Sequence, residues 1–295
     1  MNGANLRQLL LDEDDFGHEM RVGAIIADTA EEHRGHPTNI EIIRHAATYT
    51  DANTGKLRQF DFRCRVIHCQ FQFDHRHAAC AWLAIECKNL HKSSPLIVCG
   101  TERTREEAYY CFIESTYHGG PTDVMTKRSV GEEFYKTGGF VGKNLLRAKQ
   151  KKEKKDKQVI EKLEADKSAD IYDGWSQALS SSVELAENAC RAATNHQPRF
   201  TSLLLPIVVV PNGSLWQAEY DRKGTLPQEP RQADQCDYFV EQRLKLQGWQ
   251  FTITHIHFVT LTGLKQLVEH FYKNTMSVWD CIFPAGSELM SQVKQ

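Results

Sequence analysis

The segment Ala81-Trp82-Leu83-Ala84-Ile85-Glu86-Cys87-Lys88 constrains this chain more than any other. It is an apolar strand that ends in an acid and a lysine two residues apart. Side chains alternate faces along a strand, so Glu86 and Lys88 project together while Cys87 points the other way. A carboxylate beside an ammonium at a strand end can hold a divalent cation and a water. An acid-x-Lys triplet is common, and its weight depends on what precedes it.

Upstream, Arg58-Gln59-Phe60-Asp61-Phe62-Arg63-Cys64-Arg65-Val66 alternates polar and apolar residues, as a half-buried strand does. It follows Asp51-Ala52-Asn53-Thr54-Gly55-Lys56, whose Asp, Asn and Gly favour a turn. Before that turn, Ile40 to Tyr49 is rich in β-branched and aromatic residues and reads as a strand. Phe16 to Glu31 reads as a helix with Met20, Ala24, Ile25, Ala27 and Ala30 on its apolar face. Glu19 lies in the first turn of that helix, where a carboxylate suits the dipole, and it can also reach the strand edge.

A helix with Glu19, a strand, a hairpin, a strand with Asp61 and a strand with Glu86-x-Lys88 together resemble the core of the PD-(D/E)XK nuclease superfamily. The resemblance covers about residues 16 to 115. It implies an α/β, restriction-endonuclease-like mixed central sheet flanked by helices. Ser94 to Cys99 then reads as the next core strand and Thr104 to Ser115 as the helix after it. One departure is Gln59-Phe60-Asp61, where many members carry Pro-Asp or Glu-Ile-Asp.

Phosphodiester hydrolysis requires an in-line water, charge relief on the non-bridging oxygens and help for the leaving oxygen. Mg²⁺ prefers oxygen ligands and keeps several waters, so one or two carboxylates suffice to hold it. The resemblance assigns Mg²⁺ (or Mn²⁺) to Asp61 and Glu86, with the main-chain carbonyl of Cys87, and gives Glu19 a second metal or a metal-bound water. Lys88 would orient or activate the attacking water and offset transition-state charge. The products implied are a 3′-hydroxyl and a 5′-phosphate. The alternative is that Asp61, Glu86 and Lys88 are a solvated strand-end ion pair and Glu19 a helix-dipole partner.

With 36 basic and 38 acidic residues the net charge is −2, which excludes a generic basic nucleic-acid binder. Phosphate contact must then come from local patches. One patch stands out: Lys143, Arg147, Lys149, Lys151, Lys152, Lys154, Lys155 and Lys157, against only Glu153 and Asp156. It reads as an arm along a phosphate backbone or as a solvated helix or loop. The 9 cysteines, scattered mostly in apparent strands, suggest reduced thiols in a cytoplasmic protein. No apolar run approaches a membrane span, and Met1 to Asp15 is unlike a signal peptide.

Three parts are expected: 1–116 as the N-terminal part of the nuclease core, 117–200 as a mostly helical insertion, and 201–295 as a C-terminal α/β part completing the same sheet. Helical patterning is read from about Asn144 to Ala193, with Ile171, Trp175, Leu179 and Val183 in register. Leu203 to Val210 reads as a strand buried on both faces, followed by an Asn212-Gly213 hairpin turn into Leu215 to Tyr220. Trp249 to Thr260 is a further strand, and Thr262 caps a helix to Tyr272. His68, Cys69, His75, His77 and Cys80 lack the ordered spacing of a zinc site, and His255-x-His257 reads as a strand with satisfied histidines.

These residues point to a metal-dependent endonuclease acting on DNA, with restriction or antiphage defence as the role the family suggests. Two other readings stay open: a nuclease-fold binding or assembly module without turnover, and an RNA-directed nuclease. A homodimer is expected, since such nucleases often need two sites to cut both strands. An activating or targeting protein partner is also considered.

Overall fold

The computed structural model describes residues 3–7, 15–51, 55–72, 75–90, 94–104, 106–108, 111–116, 119–125, 139–155, 158–166, 175–186, 200–246 and 249–273. Helix α1 is Asp15–Glu32, followed by strands β1 (Thr38–Thr50), β2 (Leu57–Gln72), β3 (His75–Cys87) and β4 (Leu96–Glu102). A short 3₁₀ turn at Glu106–Ala108 leads to β5 (Cys111–Thr116), β6 (Gly119–Met125), β7 (Phe140–Lys155) and β8 (Gln158–Asp166). Helix α2 covers 175–186. Strands β9 (Phe200–Val210), β10 (Leu215–Glu219), β11 (Arg231–Gln232), β12 (Gln235–Leu246) and β13 (Trp249–Thr260) precede helix α3 (Leu261–Lys273).

All thirteen strands belong to one mixed sheet in the order β1-β2-β3-β9-β13-β12-β7-β4-β10-β11, with β5 on β9, β6 on β5 and β8 on β7. The N-terminal strands form an antiparallel meander; β9 then runs parallel to β3, and β13 parallel to β9. The apolar run Leu203 to Val210 is continuous because β9 lies mid-sheet with both faces covered. Leu203, Leu205, Ile207 and Val209 pack with α1 and α3 on one face. Leu204, Val208 and Val210 pack on the other face, in the cluster that holds α2. The molecule is therefore three layers, helix, sheet and helix.

Several sequence expectations are corrected here. The strand beside β3 is β9, whereas the strand at Leu96–Glu102 pairs with β7 and β10. The described residues of Thr104 to Ser115 form not a helix but the 3₁₀ turn and β5; Phe112 to Glu114 pairs with both β6 and β9, and tertiary pairing overrides the local pattern. Among the described residues of 117–200, strands β6, β7 and β8 outnumber the helical ones of 175–186, against the expectation of a mostly helical insertion. Its Lys-rich stretch is a long hairpin in which Lys149 lies opposite Glu164 and Lys152 opposite Glu161. Trp175, Leu179 and Val183 do lie on a helix, α2, whereas Ile171 lies outside the described residues.

Asn212-Gly213 does form a turn, with Gly213 at φ +81°, but β10 leaves it to pair with β4 and not with β9. The buried face of α1 is His18, Val22, Ile26 and Thr29, not the stripe through Met20, which is half exposed. Helix α3 is capped by Thr260 and not Thr262: the Thr260 hydroxyl accepts from the Gly263 amide at 3.1 Å and donates to Asp234 at 2.6 Å. Because Thr260 is buried and serves two partners, Thr260→Ala should lower unfolding stability by about 1–2 kcal/mol, and Thr260→Ser should recover most of it. Urea denaturation reads both, and an unchanged midpoint in Thr260→Ala would show that this hydroxyl does not cap the helix.

Candidate functional site

The site lies near the start of β2 and at the end of β3. Phe62 pairs with Ile85 across these antiparallel strands, and the ladder ends there, so Asp61 and Glu86 lie just beyond the last paired residues, close enough for the Asp61 charge to act on Glu86. The Asp61 carboxylate accepts a hydrogen bond from the Cys87 amide at 2.6 Å. That bond fixes the acid of one strand to the backbone that carries the other. The Cys87 side chain turns into the core below α1 and α3, where burial pushes its thiol far up.

Glu86 is the unusual member. It is 1 % exposed, and its Oε1 has no hydrogen-bond partner. Burial, then the Asp61 charge, pushes its carboxyl up to about 8, against the pull of Lys88 and Arg63. Asp61 and Glu19 are raised as well, each chiefly by burial. Three acids thus share one field, and it holds too little positive charge to keep them all ionised.

Lys88 projects to the Glu86 side, and its ammonium donates to Gln177 Oε1 of α2 at 3.1 Å. Glu19 comes from α1 on the opposite face of the sheet and pairs with His45 at 3.5 Å. Its charge is felt at both Asp61 and Glu86. Among the described residues no group of three or more His, Cys, Asp or Glu side chains gathers closely enough to hold a metal ion. The donor set brought together is Asp61 with Glu86, and Glu19 stands behind it on His45. Two carboxylates suit a hard cation that keeps its waters, and the unpartnered buried oxygen of Glu86 is the feature such a cation would complete.

Sequence reasoning missed two residues here. Gln177 orients the Lys88 amine and lies 89 residues away, so no local pattern could link them. Arg63 reads in the sequence as a polar, solvent-side residue of its strand, yet it is 2 % exposed. It pairs with Glu184 at 2.8 Å, donates to the Ser181 carbonyl at 3.3 Å and lies 3.8 Å over the Phe60 ring. Both of its polar partners are on α2, so Arg63 ties that helix, and with it Gln177, to the strand that carries Asp61. His18 adds a contact from α1, with its ring nitrogen 3.1 Å from the Val209 carbonyl, the same oxygen that receives the Lys88 amide.

The Lys-rich patch is placed elsewhere. Lys143 pairs with Glu107 at 2.8 Å, and Arg147 donates to the Ser94 hydroxyl at 2.9 Å, so both have local partners. Lys149, Lys151, Lys152, Lys154 and Lys155 lie along β7 in the hairpin with β8, and Lys157 lies outside the described residues. His255 and His257 are buried and partnered, by Glu107 and Asp237 respectively. Cys80 is buried, while the side chains of His68, Cys69, His75 and His77 lie outside the described residues. No helix among the described residues is long and apolar enough to cross a membrane.

Comparison with known proteins yields no match: no family model, no curated protein and no solved structure is significantly similar to this chain.

Because the Glu86 carboxyl is raised from 4.5 to about 8 in the folded protein, the native state binds its proton more tightly than the unfolded chain does. The stability this contributes is complete below about pH 4.5 and is lost as pH rises through about 8. Each tenfold gain in proton affinity is worth about 1.4 kcal/mol, so the loss amounts to a few kcal/mol. Glu86→Gln should therefore raise the stability of the metal-free protein at pH 8 and flatten this part of its pH dependence. Thermal unfolding in EDTA between pH 5 and 9 tests it, and a destabilised Glu86→Gln at pH 8 would contradict it.

Proposed function

We propose that this protein is a Mg²⁺- or Mn²⁺-dependent nuclease of restriction-endonuclease-like fold that hydrolyses phosphodiester bonds in DNA. The observation that carries this reading is the buried, unpartnered oxygen of Glu86, within reach of the Asp61 and Lys88 charges. Unpaired burial of a carboxylate opposes folding, and a site that holds a cation only when working accounts for it. The order of elements also supports the reading: a helix, an antiparallel meander carrying the acids, and a strand parallel to the third.

In this reading Asp61 and Glu86 hold the cation with the Cys87 carbonyl at the turn of the strand, and Glu19 remains the outer member. A bound divalent cation supplies an acidified water and charge relief on the phosphate. The Cys87 amide occupies one Asp61 oxygen, which leaves the other for the cation. Lys88, held by Gln177, places a positive charge beside the carboxylates, where charge develops on the phosphate. Glu86 must lose its proton before it can act as a ligand, so metal affinity should rise with pH up to about 8 and level off above. A role in restriction or antiphage defence, a cytoplasmic location and a homodimeric assembly belong to the same proposal.

Purified protein should degrade plasmid or linear DNA with Mg²⁺ or Mn²⁺ and not in EDTA. Lys88→Ala and Asp61→Ala should lower the rate by at least about 10²-fold with far-ultraviolet circular dichroism unchanged, and Gln177→Ala should lower it less. An RNA panel assayed in parallel decides the polymer. Wild-type rates in both Lys88→Ala and Asp61→Ala would sink the assignment.

A further inference from the structure

The far half of the sheet contains a second polar site. β12 stands three strand spacings from β3, about 14 Å, with β9 and β13 between them. A cavity of about 290 Å³ opens there, lined by Gln217, Arg231, Asp237 and His257, with Gln235, whose amide nitrogen donates to the Gly263 carbonyl, and Cys236 beside them and the apolar Phe140 and Leu267 at the flank. Gln217 is 7 % exposed, and its amide nitrogen, a donor, has no hydrogen-bond partner. Arg231 is its direct cross-strand partner in the β10–β11 ladder, which puts an exposed guanidinium beside that buried amide.

The acid in the wall is already committed. One oxygen of Asp237 faces His257 Nδ1 at 2.9 Å, and the other accepts from Arg103 at 2.5 Å. With two nitrogen partners on one carboxylate, Asp237 stays ionised, well below the usual carboxylate range, and offers little to an incoming cation. What the cavity offers beyond that is the Arg231 guanidinium and the unpartnered Gln217 amide N–H on one side and an aromatic and an aliphatic surface on the other. A guanidinium beside a buried, unpartnered N–H suits an oxyanion.

We propose that this cavity binds the phosphate group of a small organic phosphate monoester, with Arg231 and Gln217 as the direct donors, Asp237 fixing His257 and Arg103 in the wall, and Phe140 and Leu267 receiving the organic part. The site does not depend on the nuclease reading and shares no residue with it.

Inorganic phosphate and phenyl phosphate, titrated into the full chain in EDTA by calorimetry, test the proposal. Both should bind saturably, phenyl phosphate more tightly because it also fills the apolar flank. Arg231→Ala, at an exposed position, should weaken both by about tenfold or more, and Gln217→Leu should do the same. Lys88→Ala should bind like the wild type, which separates this site from the one at Glu86. No saturable binding of either probe, equal binding by wild type and Arg231→Ala, or loss of binding in Lys88→Ala would overturn it. Binding restricted to a 5′-phosphorylated oligonucleotide, with neither small probe bound, would overturn the small-molecule assignment.

Discussion

The burial of Glu86 is the constraint around which this architecture is arranged. A carboxylate at 1 % exposure with an unpartnered oxygen opposes folding, and the surrounding structure must outweigh it. That counterweight is the apolar body of β3 and β9. Their side chains fill cores on both faces of the sheet, from Leu83 and Ile207 on one side to Trp82 and Val208 on the other. A strand held this firmly can carry an unfavourable group at its end without fraying. The Asp61 bond to the Cys87 amide then fixes the second acid against it.

The long excursion between β3 and β9 is the other organising feature. It returns to the site as α2, so a helix distant in sequence sets the position of Lys88. Gln177 receives the amine, and Arg63 fastens the same helix to β2 through Glu184 and the Ser181 carbonyl. A buried guanidinium with a charged partner and an aromatic face beneath it is well satisfied at those contacts. The two faces of the sheet thus contribute differently. α2 supplies the partner of Lys88, whereas α1 supplies Glu19 and the His18 contact to the strand backbone.

Much of this is legible in the sequence where periodicity and burial agree. The strands at Ile40–Tyr49, Arg58–Val66 and Leu203–Val210 follow from alternation or from a continuous apolar run, and period-two geometry puts Glu86 and Lys88 on one face at the end of theirs. Long-range pairing is not legible. Nothing local tells β3 to choose β9 over Leu96–Glu102, or β10 to leave the Asn212-Gly213 turn for β4. The Lys- and Glu-rich stretch of β7 and β8 has helical composition, yet it forms a ladder in register from Arg147 with Asp166 to Lys155 with Gln158, a pairing that no local pattern announces. Alternation assigns Arg63 a face but cannot say that a helix will cover it.

The central claim is that Glu86 is a neutral acid awaiting a cation, and isotope-edited infrared difference spectroscopy examines that proton directly. The account predicts a protonated carboxylic acid band at pH 7 in metal-free protein that is missing in Glu86→Gln and converts to carboxylate when Mg²⁺ or Mn²⁺ is added. A spectrum with no such band at pH 7, or a band that either metal leaves unchanged, would contradict it.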